Sequence, residues 1–344
     1  MIAALRGAPG RDRRRSGDAL GLAVAVAIVA AGGAAAQDPE AEMARCVAGD
    51  IAVCTTIAET PGRFFYDRSH AYNVRGTIYA DRGMHTRAIA DYDQALRIDP
   101  EYDRAYYNRG NAYFAIGDLD RALDDYDSAI RYNPKYARAY DARAGVYATR
   151  RQFDRALVDY NRAVRLDPHD ATARYNRGRA YRFMHDDARA MQDYNEAIRL
   201  DPNFGLAYMN RGNVYNSQGD KDRALADYNK AIALDPRNAD AWFNRARLYM
   251  KSDRLELALA DFNKALEIRP NDPEFIYERA ITNFGRGDYA KMLPDLDRTI
   301  AVRPKSAPAY FMRGRAKLAL GDKAGGEADL DIAKRLDPKF DLPH

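Results

Sequence analysis

Asparagine recurs in one register of this chain, at Asn108, Asn176, Asn210 and Asn244. A ring or a thioether precedes each of them: Tyr107, Tyr175, Met209 and Phe243, a line that continues with Tyr277 and Phe311. Three residues beyond the register lie Asn111, Arg179, Asn213, Arg247 and Arg315. An amide carries both donors and an acceptor, so a row of amides can match the N–H and C=O groups of an extended chain. Rings and methionine supply apolar contact area beside them. The competing reading is that these asparagines are ordinary solvated surface residues.

Two charged columns run beside this row. Arg75, Arg109, Arg143, Arg177, Arg211, Arg245, Arg279 and Arg313 form one; Asp91, Asp125, Asp159, Asp193, Asp227, Asp261, Asp295 and Asp329 form the other. Opposite charges in fixed phase suggest repeated guanidinium–carboxylate pairs between packed helices, because half-buried charges need partners. Eight equal copies do not make one catalytic site. His70, His85, His169, His185 and His344 fall at unrelated positions, whereas metal ligands must converge. No HExxH, GxSxG, P-loop or dinucleotide fingerprint is present. The expectation is no catalytic, cofactor or metal site, and no enzyme.

The elements that must position these columns follow from one period. Pro100, Pro134, Pro168, Pro202, Pro236, Pro270, Pro304 and Pro338 lie 34 residues apart, which marks stacked units. Within one unit, Tyr106, Gly110 and Tyr113 share a helix face, and so do Ala122, Tyr126 and Ala129. Gly117-Asp118 between them suits a left-handed helix end followed by an N-cap. Asn133-Pro134 then stops the second helix. Gly110 and Ala122 leave room for close backbones, and Tyr113 and Tyr126 fill the space beside them.

Tyr208, Gly212, Tyr215, Ala224, Tyr228, Ala231 and Pro236, with Trp242, Ala246, Tyr249, Ala258, Phe262, Ala265 and Pro270, closely resemble the tetratricopeptide repeat, and the match runs from about Arg68 to Phe340. The resemblance implies an all-α fold, a right-handed superhelical solenoid of helix–turn–helix units. The repeats are read as 69–102, 103–136, 137–170, 171–204, 205–238, 239–272, 273–306 and 307–340, with 341–344 as a tail. In this family the inner face of the first helices lines a concave groove that binds extended peptides. The resemblance therefore places Asn108, Asn176, Asn210, Asn244, Tyr107, Tyr175, Phe243, Tyr277, Arg179 and Arg247 there as candidate binding residues. The row is similar to the asparagine ladder of tetratricopeptide glycosyltransferase grooves. It is unlike the carboxylate clamp of chaperone adaptors, whose lysines are missing.

Residues 1–36 differ in kind. Arg6, Arg11, Arg13, Arg14 and Arg15 precede an uncharged stretch, Ala19 to Ala36, that ends in Ala34-Ala35-Ala36. That order reads as a cleavable secretory signal peptide; an uncleaved anchor is the alternative. The expected location is periplasmic or secreted, with no membrane contact after cleavage. The whole chain is +4, and residues 1–36 hold +3 of it. The remainder is near neutral with interspersed charge, so no electrostatic footprint for nucleic acid exists.

Residues 37–68 read as a degenerate N-terminal helical cap. Gly49-Asp50 falls in phase with the other turns, and Phe64-Phe65 is placed to pack on the next unit. Cys46 and Cys54, the only cysteines, are too far apart for a disulfide on one helix but come within reach across a turn at Gly49-Asp50. In an oxidising compartment a disulfide is the expected state; two buried thiols are the alternative. At the other end Asn283 and Lys317 replace the tyrosine column Tyr79, Tyr113, Tyr147, Tyr181, Tyr215 and Tyr249. Pro294 should disturb its helix. Lys334 makes the terminal face partly polar, and self-association through that end stays open.

Two functions fit these residues. One is a non-catalytic scaffold for proteins or extended peptides. The other is a helper of exopolysaccharide secretion or envelope assembly that holds polymer in the groove. Export itself is directly testable: N-terminal sequencing of the secreted form should begin near Gln37, and a mature chain that retains Met1 contradicts it.

Overall fold

The structure, a computed structural model, describes residues 38–340; the expected signal peptide and the 341–344 tail lie outside them. Every regular element among the described residues is helical. The chain divides between Met184 and His185 into two compact units. The first holds α1 (Pro39–Val47), α2 (Ile51–Glu59), α3 (Phe65–Asp81), α4 (His85–Ile98), α5 (Asp103–Ala115), α6 (Leu119–Tyr132), α7 (Ala137–Thr149), α8 (Phe153–Leu166) and α9 (Ala171–Phe183). The second holds α10 (Asp187–Leu200), α11 (Gly205–Ser217), α12 (Lys221–Leu234), α13 (Ala239–Met250), α14 (Leu255–Ile268), α15 (Pro273–Arg286), α16 (Tyr289–Val302), α17 (Ala307–Ala319) and α18 (Lys323–Leu336), then a short 3-10 turn, Pro338–Phe340.

The local code explains the breaks. Asp118 caps α6 by accepting from the Arg121 N–H, after Gly117 has turned the chain at φ 84°. Arg151, His185 and Asp253 occupy that same turn position with φ near 60°, a conformation that costs a non-glycine residue roughly 1 kcal/mol or more. Close packing sets the glycine of the first helix. A Cβ at Gly110 would stand 2.7 Å from the Tyr126 ring, so the ring occupies the place of the missing side chain. Pro294 does not end α16; it lies on the exposed side, where water can satisfy the carbonyl it leaves free.

The charged columns pair as their phase implies. Arg109 Nε and Nη2 donate to Asp125 of its own helix pair at 2.8 and 2.7 Å, and Nη1 reaches back to Asp93 of the preceding pair at 2.6 Å. Arg143 does the same with Asp159 and Asp127. In the second unit Arg245 holds Asp261 and Asn229, Arg279 holds Asp295 and Asn263, and Arg313 holds Asp329 and Asp297. The aspartates of the forward bonds are buried. Each guanidinium thus ties one helix pair internally and to its predecessor.

At the start of the chain, Cys46 and Cys54 are joined, which ties α1 to α2. Asp50 caps α2 after Gly49 at φ 106°. Phe64 and Phe65 do not pack on the next pair; they are 81% and 64% exposed. The turn at Pro61-Gly62 ends just before them, and they sit at the N-terminal mouth of α3, where the first turn faces solvent. At the other end Lys317 salt-bridges Asp329 at 2.8 Å, and Phe340 packs on Phe311 with ring centroids 5.1 Å apart.

Removing one arm of the clamp should be costly, and removing both should cost less. Asp261→Ala leaves the Arg245 guanidinium half-buried with its main partner gone, and is expected to cost about 3 kcal/mol in urea unfolding. The double change Arg245→Met with Asp261→Leu should recover most of that loss.

Candidate functional site

Within each unit, successive first helices touch one another (α3, α5, α7 and α9 in the first; α11, α13, α15 and α17 in the second), while successive second helices do not pack together. The row of first helices is therefore the inner side of each unit. The candidate residues lie on that row, but few of them are free.

Tyr175 and Phe243 are 3% and 5% exposed. Phe243 stacks on Phe275 of the next pair with centroids 4.5 Å apart. Tyr107 packs against Tyr136 and Tyr126 at 5.0 and 6.1 Å. Contrary to the expectation of exposed groove contacts, Tyr175 is buried, and the Tyr107 and Phe243 rings seal the joint between neighbouring pairs. The physical reason is register: the ring leaves its helix on the side facing the next pair. Tyr277 is half-buried.

The amides behave unequally, so the uniform free ladder expected above is corrected. Asn108 Nδ2 donates to Asn73 Oδ1 at 2.9 Å. Asn176, only 6% exposed, donates to both oxygens of Asp141 at 3.2 and 3.1 Å. Asn210 donates to the Leu206 carbonyl one turn back. Asn244 is half-buried. Asn73 and Asp141 stand in the ring column, where a polar residue replaces the aromatic, and the next asparagine turns toward it. Asn111 and Asn213 are also engaged, each accepting a core tyrosine hydroxyl, of Tyr126 and Tyr228, at 2.8 Å. Arg179 lies over the Tyr175 ring, and Arg247 over Phe243, within 3.6 Å of Glu278.

Asp141 stands apart. Burial, with Asp170 nearby, pushes its carboxyl up to about 7, against the hydrogen bonds from Asn176 that pull it down. Among the described residues no Lys or Arg pairs with it. Beside it on α7, a Cβ added at Gly145 would meet nothing within 4 Å. The inner row of the first unit thus has a gap, with an uncompensated carboxylate at its edge. No group of His, Cys, Asp or Glu among the described residues is placed to hold a metal ion, and no described helix is long and apolar enough to cross a membrane.

The tetratricopeptide repeat family profiles match residues 175–236, 209–273 and 277–339, and again 103–136; a further profile described as TPR repeat matches 76–117 and 146–182. The chain belongs to the tetratricopeptide repeat family. Its fold is similar to that in the crystal structure of the APC/C hetero-tetramer Cut9-Hcn1, with 18% identity and a TM-score of 0.63, over 78% of this chain and 52% of that one. It is also similar to pilF of Pseudomonas aeruginosa, with 19% identity and a TM-score of 0.57, over 63% and 98%. A tetratricopeptide repeat protein of Parabacteroides merdae aligns with 21% identity and a TM-score of 0.50, over 68% and 93%. No curated protein matches the sequence.

Family membership accounts for the row but not for its exceptions. Asn73 and Asp141 were not among the candidate residues, although aligning the tetratricopeptide units in phase exposes both as polar interruptions of an aromatic column. The Asn73–Asn108 amide pair is the neutral counterpart of Asp141–Asn176 and shows that an asparagine fits this position.

Because the folded-state pKa of Asp141 lies above its unfolded value, the folded state binds the extra proton between about pH 4 and pH 7. Stability from this group therefore falls as pH rises through that window. Asp141→Asn should change little near pH 4 and should stabilise the protein at pH 8 by on the order of 2–4 kcal/mol at most. Thermal unfolding of the two proteins across that range measures the difference, and a constant offset with pH contradicts it. Asn176→Ala should destabilise at both ends of the range, by about 1–3 kcal/mol, since it strips the carboxylate of its donors.

Proposed function

We propose that this tetratricopeptide repeat chain is a non-catalytic scaffold that holds an extended segment of a partner protein along the inner row of its first helices, and that it works in the periplasm or outside the cell. Repeat membership supports a binding role, since a fold of this kind presents surfaces and its specificity lies in the side chains grafted on them. The sequence order of residues 1–36 is the basis for the location, together with the joined cysteine pair of the cap, a linkage that persists in oxidising compartments.

The observation that carries the reading is Asp141. A carboxylate that lacks a cation, next to open space on a binding row, is matched by a basic side chain of the bound segment. Such a partner would restore the ionised carboxylate by supplying the missing positive charge. The polymer reading gains no support from this geometry. Of the rings on which sugars would stack, Tyr175 is buried, and Tyr107 and Phe243 are used up in packing between helix pairs.

A positional-scanning peptide array on the purified protein tests this. Bound peptides should share a Lys or Arg at one position. Asp141→Asn should lower their affinity by about tenfold or more, as expected for loss of a charged hydrogen bond, and leave the fold intact. An array with no retained peptide, or a variant that binds basic peptides as before, rules the reading out.

A further inference from the structure

The second unit contains a cavity of about 440 Å³ between α14, α15 and the start of α16, away from the inner-row residues. Its origin can be read from the repeat register. In other pairs, a tyrosine of the first helix carries an arginine from eight residues later on its ring: Arg121 over Tyr113 at 4.4 Å, Arg155 over Tyr147 at 4.1 Å, and Arg223 over Tyr215 at 4.5 Å. In the seventh repeat the tyrosine is replaced by Asn283, while the cation stays as Lys291. The cavity is the place of the absent ring, with the cation still at its edge.

The lining is poised for a ligand. Asn283 is 5% exposed and lines the cavity, where its amide can offer both donors and an acceptor to a bound group. Among the described residues Arg286 makes only long ion pairs, to Glu256 at 3.6 Å and Asp288 at 3.7 Å, and so keeps donors free. Lys291 reaches Asp288 at 3.3 Å. Leu259 and Ala260 of α14 form an apolar wall. Glu256 opposes an anion, but its side chain is 75% exposed and can swing into water.

We propose that this cavity binds a small aromatic carboxylate. The ring takes the place of the missing tyrosine against Leu259, Ala260 and the Lys291 cation, where a cation over a ring is favourable. A phenolic or similar polar group meets the Asn283 amide, and the carboxylate accepts from the Arg286 guanidinium. The site is independent of the peptide reading of the inner row.

The test uses the full chain and 4-hydroxyphenylacetate, with binding followed by saturation-transfer NMR and thermal shift. Wild type should bind. Asn283→Tyr should restore the ring seen in the other pairs, keep or raise the melting temperature, and abolish binding. If that variant does not fold, Asn283→Phe serves the same purpose. Arg286→Gln should weaken binding about tenfold or more, as should use of neutral 4-methylphenol, because a charged hydrogen bond is lost in each case. A peptide ending in tyrosine with a free carboxylate, compared with its amidated form, separates a protein C-terminus from a free acid as the source of the ligand; preference for the free terminus supports the same chemistry. No saturation transfer to wild type, equal binding by folded Asn283→Tyr, or equal binding of the neutral analogue would overturn the proposal.

Discussion

The guanidinium clamp is the constraint on which the helix stacking in each unit depends. Hydrophobic burial is non-directional and would let one helix pair slide on the next. A planar guanidinium that gives two bonds forward to a buried aspartate and one backward to the preceding pair allows one distance and one orientation. Arg109, Arg143, Arg245, Arg279 and Arg313 all make this three-point contact. The backward partner varies between Asp and Asn without changing the geometry. The clamp therefore acts first through shape and hydrogen bonding and only secondarily through net charge. Its energetic value lies mainly in the penalty for breaking it, since buried ion pairs compare poorly with apolar packing when replaced whole.

That regularity made the fold legible. Unbroken spacing of the terminal prolines, the Gly-Asp turns and the alternating small and aromatic positions marks helix pairs wherever the chain is read. The binding row was less legible, for a physical reason. Phase assigns a residue to a helix face, yet two adjacent columns on that face have different fates. Phe243 projects toward the next pair and is buried, whereas its neighbour Asn244 is only half-buried. Periodicity cannot separate those outcomes, because both columns repeat with the same period. Nor does it say that Asn108 and Asn176 will each spend their donors on a polar residue of the preceding pair. Phe64 and Phe65 show the same limit at the cap: apolar character alone does not choose a contact.

Turn positions show how tightly the register is held. Arg151, His185 and Asp253 accept a left-handed backbone where other repeats use glycine. A strained residue of this kind persists only when its surroundings over-determine the chain path. The helix on each side of the Arg151 turn is anchored by its own clamp residue, Arg143 before it and Asp159 after it. The turn must then close with the residue available.

The same rigidity explains why departures from the repeat produce chemistry. In a loosely packed helical array, deletion of a ring would be absorbed by movement of the neighbouring helices. Where the backbone is pinned from both sides, a large-to-small change relaxes only in part and leaves volume behind. Asp141 and Asn283 are two cases, on different columns and in different units. At Asp141 a carboxylate stands where a ring sealed the inner row, and Gly145 beside it adds open space. At Asn283 an amide stands where a ring lay beneath a cation, and the volume remains as a cavity. Each substitution exchanges apolar filling for a polar group. A repeat of this kind can thus acquire a site by losing a side chain, provided that the clamps on either side are kept; Arg143 with Asp159 and Arg279 with Asp295 are kept in these two repeats.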